Sequence, residues 1–352
     1  MRVVVVGATG NVGTSLVQVL ADEPAVTSVL GLARRRPSWS PPKTEWVTAD
    51  VASGDLAPHF RGADAVVHLA WTFQPTHDPV TTWRTNVEGS IRVFAAAVEA
   101  GVPALVCASS VGAYSPGPKD RLVDESWPTH GWPGAAYTRE KAYVERVLDV
   151  VERDSPGLRV VRLRPGFLFK REAATEQRRL FAGPLLPARL ARLARPGVVP
   201  VVPDLPGLRF QAMHSLDAAD AYRLAIFREV RGAFNIAAEP VVDAALLAEL
   251  LNARIVRPPS WAVRAGLAAA WHLHLVPASP QLFDAVLHLP LMDVSRARTE
   301  LGWSARHSSL DALREFLEGL QHAGGMATPP LQPRAGGLAR HREIGSGLES
   351  RP

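Results

Sequence analysis

Cysteine is nearly absent, with Cys107 the only one among 352 residues. A single thiol cannot close an internal disulfide and rules out a cysteine-based metal cluster, which suits a reducing, cytoplasmic setting. No metal-ligand set is assigned anywhere in the chain. Its position inside the apolar run Ala104–Ala108 makes Cys107 a core residue. Also lacking is an apolar run long enough to span a membrane. Val3–Val6 is too short and too early for a signal peptide and reads as a first strand. The stretch from Trp261 to Val276 is interrupted by Arg264, His272 and His274. A buried helix or a lid is expected there, in preference to an interfacial membrane contact. Charge of one sign does not accumulate: 39 Lys+Arg against 34 Asp+Glu leaves +5, spread along the chain. That distribution argues against a nucleic-acid partner and leaves a small molecule as the expected one.

What is present is globular in character. A hydrophobic content of 47% can bury a sizeable core, and 30 prolines with 27 glycines predict many punctuated loops. The length suits one large α/β domain, or a larger and a smaller one. Through residue 166, apolar runs of strand length (Val3–Val6, Ser28–Ala33, Thr44–Thr48, Ala65–Leu69, Ala104–Ala108, Arg159–Leu163) alternate with helical patterns (Val12–Ala21, Val80–Ala100, Ala135–Arg153). Repeated βαβ units predict an α/β fold with a right-handed, doubly wound parallel sheet of the Rossmann type over residues 1–166. From Phe167 the chain is cut by Pro184, Pro187, Pro196, Pro200, Pro203 and Pro206. A smaller C-terminal substrate lobe is expected over 167–320, with a helix near Leu216–Arg228 and a strand near Ala233–Ile236 returning to the first domain. Residues 321–352 turn to Gly, Pro, Arg and Ser and are expected to form a disordered tail.

Gly7-Ala8-Thr9-Gly10-Asn11-Val12-Gly13 follows the first strand and opens the first helix, the context in which a glycine pattern predicts a dinucleotide site. Gly7 permits a tight turn, Gly10 lets the backbone approach a pyrophosphate, and Gly13 lets helix pack on strand, while the helix N-terminus supplies amides. At the end of the second strand, where NAD sites place a carboxylate on the ribose, stand Arg34, Arg35 and Arg36. A guanidinium there matches a 2′-phosphate, so NADP is preferred over NAD. Asp50 and Val51 are expected near the adenine, and Leu69 and Ala70 beneath the cofactor.

Tyr137 and Lys141 stand four residues apart, on one face of a helix, and Ser110 closes an earlier strand run. Order and spacing, together with the glycine turn, resemble the extended short-chain dehydrogenase/reductase family, also called the NAD-dependent epimerase/dehydratase family, over roughly residues 1–320. The resemblance implies Tyr137 as general acid/base, Lys141 as the group that holds the nicotinamide ribose and lowers the phenol's pKa, and Ser110 as hydrogen-bond partner of the reacting oxygen. It implies further that Asn86, in Thr85–Gly89, shapes the site, and that Pro165, in Arg164–Gly166, lies against nicotinamide. Helices near Val80–Ala100 and Ala135–Arg153 often pair as a dimer interface in this family. Two departures narrow the activity. Val111, Gly112 and Ala113 stand where hexose dehydratases carry an acidic pair. Arg209 is one position too early relative to His214 and Asp217 to match the arginine that grips a nucleotide sugar, and those two residues read as lobe-positioning. Met292–Trp303 looks like a packing feature of the family. The expected function is an NAD(P)-dependent oxidoreductase or epimerase moving a hydride between nicotinamide and a secondary alcohol or ketone. A non-catalytic NAD(P)-binding regulator and a nucleotide-sugar epimerase with resident NAD are the alternatives.

Overall fold

The computed structural model describes residues 1–73, 77–182 and 197–333. Seven strands, β1 (Arg2–Val6), β2 (Ser28–Ala33), β3 (Thr44–Thr48), β4 (Ala65–His68), β5 (Ala104–Ala108), β6 (Arg159–Pro165) and β7 (Gly232–Ile236), form one sheet in the order β7-β6-β5-β4-β1-β2-β3. Every pairing is parallel. The inner strands β1, β4 and β5 are almost wholly apolar because both faces are covered, whereas β6 also carries Arg159, Arg162 and Arg164. Val3, Val5, Val67, Val106 and Val161 pack against the helices Asn11–Asp22 and Ser215–Phe227. Val4, Val6, Leu105, Cys107 and Val160 pack against Gly89–Glu99 and Ala136–Asp154. Strand order reverses between β1 and β4, the point at which open α/β sheets bind ligands.

The predicted doubly wound sheet is therefore present, and its strand ends agree with the sequence reading to within two residues. The returning helix and strand also form: Ser215–Phe227 packs beside Asn11–Asp22, and β7 extends the sheet next to β6. The continuous helix expected over Val80–Ala100 is instead Pro79–Trp83 and Gly89–Glu99 joined by one wider, π-helical turn, Arg84–Glu88. Inside that turn the Ser90 hydroxyl donates to the Asn86 carbonyl. The smaller lobe holds the parallel pairs Phe167–Phe169 with Ala212–His214 and Val201–Pro203 with Arg254–Val256, and the helices Ala174–Ala182, Ser260–His272 and Pro280–His288. Pro184, Pro187 and Pro196 lie outside the described residues.

One expectation is narrowed and one corrected. Of the buried helix or lid expected over Trp261–Val276, the helix Ser260–His272 has no buried residue and leaves Trp261 75% exposed, so the buried-helix alternative falls and the lid alternative is the one its exposure fits. No helix among the described residues is long and apolar enough to cross a membrane. The tail does not begin at 321: the helix Ser309–His322 runs past that point, and residues 323–333 fold back on the first domain, with Thr328 and Leu331 fully buried. The Thr328 hydroxyl donates to the Thr9 carbonyl at 2.9 Å and the Trp39 amide to Ala327 at 3.2 Å. A few well-placed contacts suffice where composition suggested none. Residues 334–352 lie outside the described residues.

His214 and Asp217 are structural here. His214 Nδ1 accepts from the Leu216 amide and caps its helix, while the Asp217 carboxylate accepts from the His307 amide at 2.9 Å. Trp303, 1% exposed, donates its indole N–H to the Asp217 carbonyl at 2.9 Å and fixes the Met292–Trp303 segment to the core. Trp303→Ala should leave a cavity and an unpaired carbonyl, lowering unfolding free energy by roughly 3–5 kcal/mol, read from the urea midpoint at unchanged slope.

Candidate active site

The glycine turn is shaped by contact. Gly7 has φ 86°, and a Cβ on it would stand 2.6 Å from the Ala70 amide; one on Gly13 would stand 2.4 Å from the Gly7 carbonyl. A Cβ on Gly10 would meet nothing within 4 Å except that carbonyl at 3.7 Å, so Gly10 keeps open the space in front of the helix. The helix Asn11–Asp22 has no side-chain cap. Its first-turn amides lack intrahelical partners and lie along a cleft of about 750 Å³. An uncapped helix start facing a cradle that any side chain would fill fits a pyrophosphate.

Of the residues singled out in the sequence, Gly7, Thr9, Gly10, Asn11, Val12, Gly13, Arg34, Arg35, Val51, Leu69, Ala70, Ser110, Tyr137, Lys141 and Pro165 all line this cleft. Asn11 does so while its amide accepts from the Ser215 hydroxyl of the returning helix at 2.8 Å and donates to the Leu168 carbonyl of the smaller lobe at 3.4 Å. Two predicted residues do not line it. Asp50 spends its carboxylate on its own turn, accepting from the Ala52 amide at 3.0 Å, while Ala49 and Val51 face the cleft. Asn86 is fully buried behind the wall: its amide accepts from Thr72 N at 2.7 Å and donates to Thr72 O at 2.8 Å and to Glu140 at 2.7 Å. It holds the segment after β4 in place and does not reach the space a substrate would fill.

That segment supplies residues the sequence reading missed. Trp71 lies with its ring centroid 3.4 Å from Lys141 Nζ and meets Tyr137 edge-on at 5.9 Å, and Phe73 stacks on the Tyr137 ring at 4.4 Å. The signal was available, since both directly follow Leu69 and Ala70. Pro329 and Pro330 also line the cleft, in the stretch expected to be disordered.

Tyr137 donates to Ser110 Oγ at 2.9 Å, and Gly112 N donates to the same oxygen at 2.9 Å. Lys141, 4% exposed, donates to the Ala108 carbonyl at 2.7 Å. Burial brings its ammonium down to about 8. Burial likewise pushes the Tyr137 phenol up to about 12, the Ser110 hydrogen bond opposing and the Glu140 charge adding. At neutral pH the phenol is therefore protonated.

Beneath Ser110 lies a buried ion cluster. Glu145, 1% exposed, accepts from the Ser109 hydroxyl, from Arg164 at 2.9 and 3.0 Å, and from Arg162 at 3.0 Å. Burial alone would raise this carboxyl, but the hydrogen bonds and charge of Arg164, joined by Arg162, outweigh it and hold the group down to about 2. Arg164 also donates to the Tyr114 hydroxyl, which donates in turn to Asn235. The cluster thus ties β5, β6 and β7 to the helix Ala136–Asp154.

Residues 3–237 match the model of the NAD dependent epimerase/dehydratase family. The chain belongs to this family. An uncharacterized protein of Mycobacterium tuberculosis is 24% identical over 330 residues, 90% of this chain and 83% of that one. A putative dihydroflavonol 4-reductase of Synechocystis is 31% identical over 146 residues, 40% of this chain and 42% of that protein. Among solved structures, the Thermus thermophilus UDP-glucose 4-epimerase complex with NAD superposes with TM-score 0.67 at 21% identity, over 91% of this chain and 99% of that one. Family membership makes the chain an NAD(P)-dependent enzyme of the oxidoreductase or epimerase kind.

The ion cluster makes acid stability a direct readout. A carboxyl held at about 2 against an ordinary 4.5 contributes stability that is present above 4.5 and is lost as pH falls through about 2. Glu145→Gln takes from the buried Arg164 guanidinium its carboxylate partner and from Arg162 one of the three it pairs with. It should cost roughly 3–5 kcal/mol at neutral pH and flatten the decline of unfolding free energy over that acid window, measured by urea titration at a series of pH values.

Proposed function

We propose that the chain is an NADP-preferring oxidoreductase that interconverts a ketone and a secondary alcohol, with Tyr137 as acid/base. The observation that carries this reading is the convergence of Ser110, Tyr137 and Lys141 in one cleft with the glycine turn. When bound, nicotinamide supplies or accepts the hydride. Gly10 and the first-turn amides would hold the pyrophosphate, and Arg34 and Arg35, which line the far end of the cleft, would meet the 2′-phosphate. A protonated phenol is the form needed to give a proton to a carbonyl oxygen, so the resting site is set for reduction. Ser110 Oγ already accepts two hydrogen bonds, which leaves its own O–H to donate to that oxygen. Asn86, with Glu140, holds the segment that keeps Trp71 against Tyr137 and Lys141.

A nucleotide-sugar epimerase with resident NAD is the second reading, favoured by the likeness to NAD-bound UDP-sugar epimerases. Nicotinamide fluorescence separates the two readings. Tight NADPH binding, lost in an Arg34→Asp/Arg35→Asp double variant, is expected; tighter NADH binding indifferent to the double variant would sink the NADP preference and favour the epimerase. Tyr137→Phe should bind NADPH as well as the parent and lose 10²- to 10⁴-fold in kcat. If the variant keeps its biological effect, the chain is a regulator and not a catalyst.

We infer a cytoplasmic homodimer, supported by the buried lone thiol and by exposed Ile91, Val98, Tyr143 and Val150 on two neighbouring helices. Sedimentation should give twice the chain mass, and Val98→Glu/Val150→Glu should give the monomer; a monomeric parent would overturn the dimer.

A further inference from the structure

Resting on the redox reading above, we propose that the substrate is a neutral, apolar ketone or secondary alcohol, held by an apolar wall that begins at the catalytic tyrosine, and not a sugar nucleotide.

The wall starts at the reacting group. Phe73 covers the Tyr137 ring at 4.4 Å and 22°, and Phe181 meets Phe73 edge-on at 5.3 Å, so an aromatic surface leads away from the phenol. The smaller lobe continues it with Leu282, Phe283 and Val286 from the helix Pro280–His288 and Leu267 from the lid helix. Such a surface recognises its ligand through area removed from water, and offers nothing to a string of hydroxyls.

The charges of the cleft point the same way. Among the described residues that line it, the charged ones are Arg34, Arg35, Lys141 and Glu176. Arg34 and Arg35 stand at the end of β2, beside the glycine turn, where the dinucleotide's own phosphate would take them. Lys141 is committed to the Ala108 carbonyl and the Trp71 ring. Glu176 has the wrong sign for a diphosphate. Two further basic residues of the smaller lobe side, Lys119 and Arg209, hold each other: Arg209 donates to the Lys119 carbonyl, and the Lys119 ammonium donates to the carbonyls of Arg209 at 2.7 Å and Val286 at 3.1 Å. Neither lines the cleft. Among the described residues, a diphosphate brought to this wall would lose its water and meet no cation, whereas each methylene brought there gains roughly fourfold in affinity.

The test measures the full chain, with and without NADPH, against methyl ketones lengthening from butanone to decanone and against UDP-glucose. Calorimetry reads binding and nicotinamide absorbance reads turnover. Affinity is expected to rise roughly fourfold per methylene until the wall is covered, with UDP-glucose weaker than the longer ketones by at least a hundredfold. Phe283→Asp and Leu282→Asp should each remove most of the chain-length gain while NADPH affinity, the check on folding, stays unchanged. Length-dependent binding without nicotinamide oxidation would uphold the substrate class and overturn the redox reading. Tighter binding of UDP-glucose, or ketone affinity indifferent to length, would overturn the substrate class whatever the turnover.

Discussion

The contact between the ends of β1 and β4 is the constraint on which the site depends. Gly7 lies so close to Leu69 and Ala70 that no side chain fits between them, and at this point the strand order reverses. Two chain segments therefore diverge from one place. The glycine turn leaves on one side and presents an uncapped helix start; Trp71 and Phe73 leave on the other and form the floor under Tyr137 and Lys141. The cleft is the space that this divergence opens, and the smaller lobe closes it from above.

Charge is managed differently on the two sides of the catalytic helix. Glu145 faces the sheet and is surrounded by donors, so it stays ionised in spite of burial. Lys141, which faces the cleft, has a carbonyl and an aromatic face for neighbours and no carboxylate in hydrogen-bond contact, so burial lowers it toward neutrality. The pairing is rigid where the helix must be anchored and incomplete where a charged ligand would enter. An incompletely compensated buried group is costly in a resting protein, and such groups gather at sites where a ligand completes them.

Much of the fold was legible because a parallel sheet covered on both faces needs apolar strands, and these stand out between helical patterns. The glycine turn, Ser110, Tyr137 and Lys141 were legible for a related reason: each depends on short-range spacing within one strand, turn or helix. Asp50 and Asn86 show the limit. Both sit in the expected segments, yet one carboxylate turned to its own backbone and one amide turned to Thr72, choices made by hydrogen-bond partners that spacing does not reveal. The π-helical turn at Arg84–Glu88 was hidden for the same reason.

The sequence by itself determined the layered fold, the glycine turn and the spacing of Ser110, Tyr137 and Lys141, since local periodicity and turn chemistry fix these. Only the tertiary structure decided what surrounds them. Residues 323–333, built mainly of alanine, glycine and proline, became a rim of the cleft anchored by the buried Thr328 and Leu331, because Thr328 found the Thr9 carbonyl. Phe73, Phe181 and Phe283, far apart in sequence, became one wall because two lobes meet there. Substrate chemistry depends on which side chains from distant segments share a surface, and that is a property of packing.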